Sequence, residues 1–394
     1  MFHQVEFAYQ LMVSQNITSM PYRVFTDFHH SSLLYSLILL FEKRFHGVVM
    51  RPIGLEWFEK GYWKINNQRD TAEQFLGFQS VPTDGTVPLN DVVEIFGRKT
   101  GETYAGMEGV PSVDDMVYMC QDFYNEKPNK AIRLETFFKL PIDIVIASIP
   151  EHLQPFRKLC DEHPKKPKLL YQVGNQWNVN PWDVVMDGIM ASSEIQLVPG
   201  VPFVKYHQEF DREIFRPAVT VSKGEYFYEN KNIYSFVNVF EQWPDYWQFF
   251  QMVEQAMPQW SFKAYGGQCR DGNMTGSKAL ADKMREARFI WHTKKDGDGY
   301  GHILHNAFAV GKPVITYRSD YCGKLGDRLL LDEKTALFLD GLSLDGIVQK
   351  IVYYSEEERY RKMCKAVEQQ FTEVVDFDRD QMYIEKFLVD VVSR

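Results

Sequence analysis

The stretch Asp298-Gly-Tyr-Gly-His-Ile-Leu-His-Asn-Ala-Phe-Ala-Val-Gly-Lys-Pro-Val-Ile315 joins two short apolar runs, Phe289–Trp291 and Pro313–Tyr317. Apolar runs of this length are typical of buried strands, and the helical spacing of apolar residues between them predicts a strand–helix–strand unit. Glycines at the start of the helix allow a tight turn, and the helix N-terminus offers unpaired N–H groups and a partial positive charge. The stretch therefore predicts a parallel α/β sheet with a turn that can bind phosphate.

The helix of this unit is expected to begin near Gly301 and to bury one apolar face, made of Ile303, Leu304, Ala307 and Phe308. The other side would carry His302, His305 and Asn306, within reach of a ligand at the helix start. Gly299 and Gly301 would let a phosphate approach the backbone, and Asn306 would bond a sugar hydroxyl. An ordinary glycine turn with a solvated polar face is the alternative interpretation.

The rest of the chain alternates strands and helices in two series, separated by a polar segment that ends at Pro217. The first series predicts strands at 22–28, 48–50, 142–149, 169–173, 194–198 and 203–206, with helices from Ser31 or Ser32 and over 150–162. The second predicts strands at 233–237, 261–265, 289–291 and 313–317, with helices through Trp247 and over 279–287. Residues 55–140 show no long period and are interpreted as an elaboration of the first series. Two such series predict two doubly wound domains that face each other across a cleft.

Bulk composition limits the class of protein. The chain has 394 residues, 45% hydrophobic content and a net charge of −9, so it carries no overall basic field for nucleic acid. Five scattered cysteines argue against a disulfide framework and against a zinc site. The longest apolar run, Leu33–Phe41, is too short to span a bilayer, and no signal-peptide pattern is seen, so we expect a cytoplasmic protein without a transmembrane segment.

The opening stretch resembles the signature of the retaining, nucleotide-sugar-dependent glycosyltransferases of the GT-B fold (glycosyl transferases group 1). That signature reads Glu-Gly-Phe-Gly, four residues, Glu-Ala, and then Gly-Lys-Pro-Val-Ile. Asp298 stands at the first Glu and Asn306 at the second, with seven residues between them, and Gly311–Ile315 matches directly. Downstream, Asp332–Asp340 resembles the turn and strand that follow the family's donor site, and Glu209–Pro217 resembles the segment joining its two domains.

The resemblance implies two facing Rossmann-like domains. An N-terminal acceptor-side domain would span residues 1–217, a C-terminal nucleotide-sugar domain would span residues 218–376, and a helix over 377–394 would pack back on the first domain. The donor would be a nucleoside diphosphate sugar, consumed as a co-substrate without a further cofactor or a metal ion. Donor-binding residues would be His292, Lys294, Asp298, Gly299, Tyr300, Gly301 and Asn306.

Several family features are altered in this chain. Both acidic positions of the signature are changed, and the Arg and Lys that usually face the donor diphosphate are missing from Asn238–Trp243. A His that often follows the strand at 169–173 is replaced by Gly174-Asn175. Cations that could replace the missing pair are Lys263, Arg270, Lys294 and Lys295.

Candidate catalytic residues follow the first strand of the chain. Asp27, His29 and His30 lie at its carboxyl end, where parallel sheets bind ligands, and could act on the acceptor hydroxyl. A turn with local hydrogen-bonding residues is an equal alternative. His152, after the strand at 142–149, is a weaker candidate because it could lie simply in the first turn of a helix.

We therefore expect a glycosyltransferase that moves a sugar from a nucleoside diphosphate sugar to an unidentified hydroxyl acceptor, with retention of configuration if the family's reaction applies. The acceptor could be a glycan, a small molecule or a modified base in DNA. Three alternatives stay open: a GT-B nucleotide-sugar epimerase, a glycosyltransferase that modifies hydroxymethylated DNA bases, and a non-catalytic homologue that binds a sugar or nucleotide.

Overall fold

The structure is a computed structural model. It describes residues 21–27, 31–52, 56–62, 117–122, 127–174, 185–194, 198–217, 230–274 and 276–394.

The first sheet has eight strands in the order β3-β4-β2-β1-β5-β6-β7-β8. Neighbouring strands are parallel except β3 and β4, which are antiparallel. Its strands are β1 (Arg23–Thr26), β2 (Val48–Pro52), β3 (Val117–Asp122), β4 (Lys127–Ile132), β5 (Ile144–Ala147), β6 (Lys168–Val173), β7 (Gly188–Ala191) and β8 (Phe203–Lys205). The helices that accompany it are α1 (Ser31–Ile38), which continues as a π-helical turn (Leu39–Arg44), α2 (Glu56–Glu59), α3 (Leu134–Lys139) and α4 (Leu153–Glu162).

The second sheet has five parallel strands in the order β10-β9-β11-β12-β13. Its strands are β9 (Asn232–Ser235), β10 (Ser261–Ala264), β11 (Phe289–Trp291), β12 (Val314–Thr316) and β13 (Ala336–Phe338). The helices around it are α5 (Pro244–Ala256), α6 (Ser277–Glu286), α7 (His302–Ala309), α8 (Leu344–Tyr354), α9 (Glu357–Val374) and, at the end of the chain, α10 (Phe377–Ser393). The predicted strand–helix–strand unit around the glycine-rich stretch is confirmed as β11-α7-β12.

Both sheets are covered on two faces, as buried parallel strands require. In β1, Val24 and Phe25 point to opposite sides, and each belongs to a different apolar cluster. Phe25 stacks on Trp57 with ring centroids 4.9 Å apart, on the side that α4 also covers. Every residue of β2 and β5 is buried, which explains why β5 reads as a continuous apolar run rather than as an alternating one.

One strand prediction is wrong. The expected strand at 194–198 is not seen: Glu194 and Val198 lie outside any strand, and 195–197 fall outside the described residues. The strand in this part of the sheet is β7, which lies earlier, at Gly188–Ala191. All four residues of Gly188–Ala191 are buried between β6 and β8, but the run is short and contains a Gly and an Ala, which have low strand propensity, so the sequence pattern does not mark it as a strand. The unassigned region 55–140 contributes β3 and β4 at the edge of the sheet.

The chain leaves the first sheet at Lys205 and enters the second at Asn232. We call residues Tyr206–Pro217 the crossover segment. The last helix, α10, packs on the first sheet, where Phe387 lies against Gly188 so closely that a Cβ there would come within 2.7 Å of its ring. Helix α10 thus ties the end of the chain to the face of the sheet that carries Met190 and against which Leu34 of α1 also packs.

The start of α10 supplies a test of this packing. Asp376 is the N-cap, and its side chain accepts a hydrogen bond of 3.0 Å from the backbone N–H of Arg379. We expect Asp376→Ala to lower the free energy of unfolding by about 1 kcal/mol, as loss of an N-cap does. Asp376→Ser keeps the cap and should stay within about 0.5 kcal/mol of wild type. Urea denaturation measures both, and equal stabilities of the two variants would contradict the assignment.

Candidate functional site

The glycine-rich turn lies between the carboxyl end of β11 and the start of α7. Gly297 and Gly301 have φ angles of +61° and +75°, in the left-handed region that glycine adopts without a steric penalty. Gly301 is the N-cap of α7 and supplies no side chain, so the N–H groups of the first helical turn lack a capping side chain. Such an N-terminus can bind an anion, because its N–H groups and the helix dipole both favour negative charge.

Asp298 draws two predicted donor-site residues together. The Nε2 atom of His292 lies 3.3 Å from Oδ2 of Asp298, and Lys294 pairs with Oδ1. Burial disfavours the charge on Asp298, but His292 and Lys294 outweigh it and hold the pKa of this carboxyl well below its usual range. Lys294 also lies over the ring of Trp243, with its nitrogen 5.7 Å from the ring centroid. The turn therefore combines a charged aspartate with a neighbouring cation.

The polar residues of α7 are enclosed rather than solvated. His305 is fully buried, and Asn306 is only 6% exposed. Tyr300 stacks on His305 with centroids 4.0 Å apart, and its hydroxyl donates to the carbonyl oxygen of Gln208 in the crossover segment at 3.0 Å. Oδ1 of Asn306 has no hydrogen-bond partner among the described residues. The alternative of a solvated polar face is therefore wrong for these two residues.

Two of the candidate cations are committed to other partners. Lys263 pairs with Asp271 at 2.9 Å, and Arg270 pairs with Glu254 at 2.8 Å. Lys294 stays at the glycine-rich turn, and Lys324, which the sequence analysis did not single out, joins it there by donating to the carbonyl of Asp320 at 2.7 Å. Lys295, the fourth candidate, is exposed on the same loop between β11 and α7. The cations at the turn are therefore Lys294, Lys295 and Lys324.

Asp27 lies at the carboxyl end of β1, as predicted, with its side chain fully engaged. Its Oδ2 accepts from the backbone N–H of Ser148 at 2.7 Å and lies 2.8 Å from Nδ1 of His152, and its Oδ1 accepts from the Ser148 hydroxyl. Asp27 and His152 are both buried. The structure thus joins Asp27 to the weaker candidate, while His29 and His30 lie outside the described residues.

A second carboxylate lies beside the glycine-rich turn. Asp320 is 7% exposed and accepts from the hydroxyl of Tyr246 at 3.1 Å. Burial raises the pKa of Asp320 to about 6. The hydrogen bond from Tyr246 and the charge of Lys324 lower this pKa, whereas the charges of Asp340 and Asp296 raise it further. Its backbone carbonyl approaches Gly297 so closely that only glycine fits there: a Cβ would lie 2.2 Å from this oxygen.

The raised pKa of Asp320 gives a pH-dependent prediction. The folded protein holds the proton more tightly than the unfolded chain, whose Asp titrates near 3.8, so the stability falls as pH rises from about 4 to about 6. Asp320→Asn removes this penalty and keeps an acceptor for Tyr246. We expect the variant to exceed wild type by about 1–2 kcal/mol at pH 7.5 and to match it at pH 4. Denaturation at both pH values measures this, and a pH-independent difference would contradict it.

Sequence reasoning missed the side chains that meet where the sheet, the crossover segment and α10 come together. The amide nitrogen of Gln208 donates to Oγ of Ser192 at 2.5 Å, and Nδ1 of His207 lies 2.8 Å from Oδ2 of Asp380. Oγ of Ser193 and Oε1 of Gln208 are buried without a hydrogen-bond partner in the described ranges. The one signal in the sequence was the polar character of the crossover segment.

No group of three or more His, Cys, Asp or Glu side chains in the described ranges is arranged to hold a metal ion. Among the helices of the same ranges, none combines the length and the apolar character needed to cross a membrane.

Comparison with solved structures identifies the fold. The chain is similar to HepE of Anabaena, solved in complex with UDP and glucose, with a TM-score of 0.58 and 10% identity over 93% of this chain and 98% of that one. It is similar to a glycosyltransferase from Rickettsia africae, with a TM-score of 0.56 and 11% identity over 95% and 99%. It is also similar to TarM, with a TM-score of 0.56 and 10% identity over 94% and 99%.

No family model and no curated protein sequence matches the chain. The identities to the solved structures are low, so the similarity establishes the fold and leaves the reaction to be argued from the site. The two parallel sheets and the coverage of nearly whole chains confirm the predicted α/β class. The chain has the fold of two facing Rossmann-like, doubly wound units that the GT-B glycosyltransferases share.

Proposed function

We propose that the protein is a glycosyltransferase that uses a nucleoside diphosphate sugar as donor. The observation that carries the proposal is the glycine-rich turn, where an uncapped helix N-terminus meets Lys294, His292 and the buried amide of Asn306. A nucleotide sugar requires an anion site for its diphosphate, a partner for a sugar hydroxyl and a nearby cation. Similarity to HepE, solved with UDP and glucose, makes UDP the first nucleotide to test.

Each donor-site residue has a role in this proposal. The N–H groups at the start of α7 bind the diphosphate, and Lys294 offsets part of its charge. Asn306 binds a ribose hydroxyl through Oδ1, which lacks a partner in the described part of the chain. Asp298 keeps His292 and Lys294 in place, because it contacts both. The leaving diphosphate is thereby stabilised by preorganised groups, which is the largest contribution that a protein makes to such a transfer.

The acceptor side of the proposed reaction lies at the carboxyl edge of the first sheet. Both oxygens of Asp27 are used by Ser148 and His152, so we assign Asp27 the role of positioning His152 and the end of β1. His29 and His30 stay candidates for contact with the acceptor, because they lie two and three positions after Asp27 in the sequence. We propose retention of configuration and transfer without a metal ion, with a glycan, a small molecule or a modified DNA base as acceptor.

The proposal is tested by following nucleotide release from a panel of UDP-, GDP- and ADP-sugars. We expect slow hydrolysis of one donor without an acceptor, unchanged by EDTA. Asn306→Ala should weaken that donor's binding by about 10- to 100-fold, which is the usual effect of losing one or two hydrogen bonds to a buried group. NMR of the released sugar reports the anomeric configuration.

The same panel separates the alternatives. A change in the sugar of the intact nucleotide sugar would identify an epimerase. Donor binding without hydrolysis or transfer would identify a non-catalytic homologue. A panel in which no nucleotide sugar binds would overturn the proposal and leave the fold unaffected.

A further inference from the structure

We propose that Tyr300, His207 and Asp380 are positioning residues that hold the glycine-rich turn against the crossover segment, so that helix α10 sets the geometry of the donor site. This inference rests on the proposed function only where it concerns the donor. We call the cluster formed by Tyr300, His305, His207, Gln208 and Asp380 the crossover junction.

The first connection runs from α10 to the crossover segment. Oδ2 of Asp380 lies 2.8 Å from the backbone nitrogen of His207 and 2.8 Å from its Nδ1. The two residues are 6% exposed each. A carboxylate that accepts from a backbone N–H and a side chain of the same residue fixes both the path of the backbone and the orientation of the ring. Helix α10 therefore defines where His207 and Gln208 lie.

The second connection runs from the crossover segment to the glycine-rich turn. The hydroxyl of Tyr300 donates to the carbonyl of Gln208 at 3.0 Å, and the ring of His207 lies 5.9 Å from that of His305. Tyr300 is stacked between these elements because its ring covers His305 at 4.0 Å with an interplanar angle of 13°. Since Gly301 follows Tyr300 directly, fixing Tyr300 also fixes the N-cap of α7.

The protonation of His305 supports a fixed arrangement. Its Nδ1 lies 2.9 Å from the carbonyl oxygen of Gly301, which can only accept, so Nδ1 carries the hydrogen. Burial and the neighbouring His207 hold the pKa of His305 well below its usual range, so the ring is neutral. A neutral ring stacks on Tyr300 and closes the turn at Gly301 without bringing a buried charge into the cluster.

The alternative is that the junction contributes only to overall stability. A matched control separates the two. Asp187 is also a carboxylate that accepts from a backbone N–H, of Leu169 at 2.7 Å, and from a cationic side chain, Arg157 at 3.0 Å. It immediately precedes β7 on the first sheet, and the hydrogen bonds and the ion pair found for it among the described residues are with Leu169 and Arg157, outside the junction. Asp187→Asn therefore reports loss of a comparable interaction without loss of the junction.

The experiment measures hydrogen–deuterium exchange of residues 297–304 in the ligand-free protein. We expect Asp380→Asn and Tyr300→Phe each to increase exchange of this segment by about tenfold. The free energy of local opening is lower in these variants, because opening no longer requires breaking the hydrogen bonds of the junction. The double variant should resemble either single variant, since the two changes act on one network. Asp187→Asn should leave this segment unchanged. UDP titration of the same proteins should show about tenfold weaker binding for the junction variants only.

The outcomes are distinct. Unchanged exchange in both junction variants, or an equal increase in Asp187→Asn, would overturn the positioning role. Increased exchange together with wild-type UDP affinity would show that the junction holds the turn without setting donor affinity, which would overturn that part of the inference. Increased exchange in a protein that binds no UDP would support the junction and count against the proposed function. Tyr300→Phe keeps the test decisive if Asp380→Asn does not fold, because it removes a single hydroxyl.

Discussion

Asp27→Ala is expected to lower the free energy of unfolding by about 3 kcal/mol, the cost of removing one partner from a buried, hydrogen-bonded pair. The variant leaves the backbone N–H of Ser148 and Nδ1 of His152 without their acceptor, and water does not reach this site because Asp27 is 3% exposed and His152 is 1% exposed. The predicted acceptor residues His29 and His30 lie two and three positions after Asp27, so under the proposed function the variant also loses transfer activity.

The matched control for this change is Asp161→Ala on the surface of α4. Asp161 pairs with Arg157 at 2.9 Å, but its side chain is 62% exposed. Exposed pairs contribute at most about 1 kcal/mol, so this variant should remain close to wild type. Urea denaturation followed by circular dichroism measures both. Similar stabilities of the two variants would show that the buried contacts of Asp27 with Ser148 and His152 stabilise the fold no more than an exposed ion pair does.

Gly297→Ala is expected to weaken donor binding by about 100-fold, or about 2.7 kcal/mol. The new Cβ would lie 2.2 Å from the backbone oxygen of Asp320 and 2.8 Å from Nζ of Lys324, and the residue would keep an unfavourable φ of +61°. The side chain of Lys324 can move away, but the backbone of Asp320 cannot do so without displacing the loop after β12. The turn must shift instead, and the phosphate-binding N–H groups shift with it.

Gly272→Ala is the control, because it separates backbone strain from the clash. Gly272 has a φ of +85°, and within the described residues no atom lies within 4 Å of the position of its Cβ. It should therefore lose some stability without losing donor affinity. Titration with the preferred nucleotide measures the affinity of both variants. Equal affinities would contradict the requirement for glycine at position 297.

The elements of the fold were predictable where local pattern and burial agree. The glycine before α7 and the apolar runs on either side predicted β11-α7-β12, because tight turns and buried strands leave strong local signals. Strand β7 was missed because its four residues, Gly-Ile-Met-Ala, include two of low strand propensity and give only a weak apolar run. Strands β3 and β4 lie in a region rich in aromatic residues, Gly and Pro, where no period distinguishes strand from loop.

The candidate site was predictable only in part, because its contacts join residues distant in sequence. Asp27 and His152 meet although 125 positions separate them, and His207 meets Asp380 across 173 positions. The spacing of residues in the sequence shows which of them share a face of a helix. It does not show which strand ends lie next to each other in the folded sheet. The burial of His305 follows from such long-range packing, since Tyr300 and the crossover segment cover it.

The central claim is that the glycine-rich turn and Asn306 bind a nucleoside diphosphate. Isothermal titration of the wild-type protein with UDP, beside Asn306→Ala and the exposed control Asn273→Ala, tests it most directly. We expect measurable binding to wild type and to Asn273→Ala, and binding about 10- to 100-fold weaker to Asn306→Ala. Equal affinity of all three proteins would place the nucleotide elsewhere, and no binding of UDP or of the other nucleoside diphosphates to wild type would contradict the claim itself.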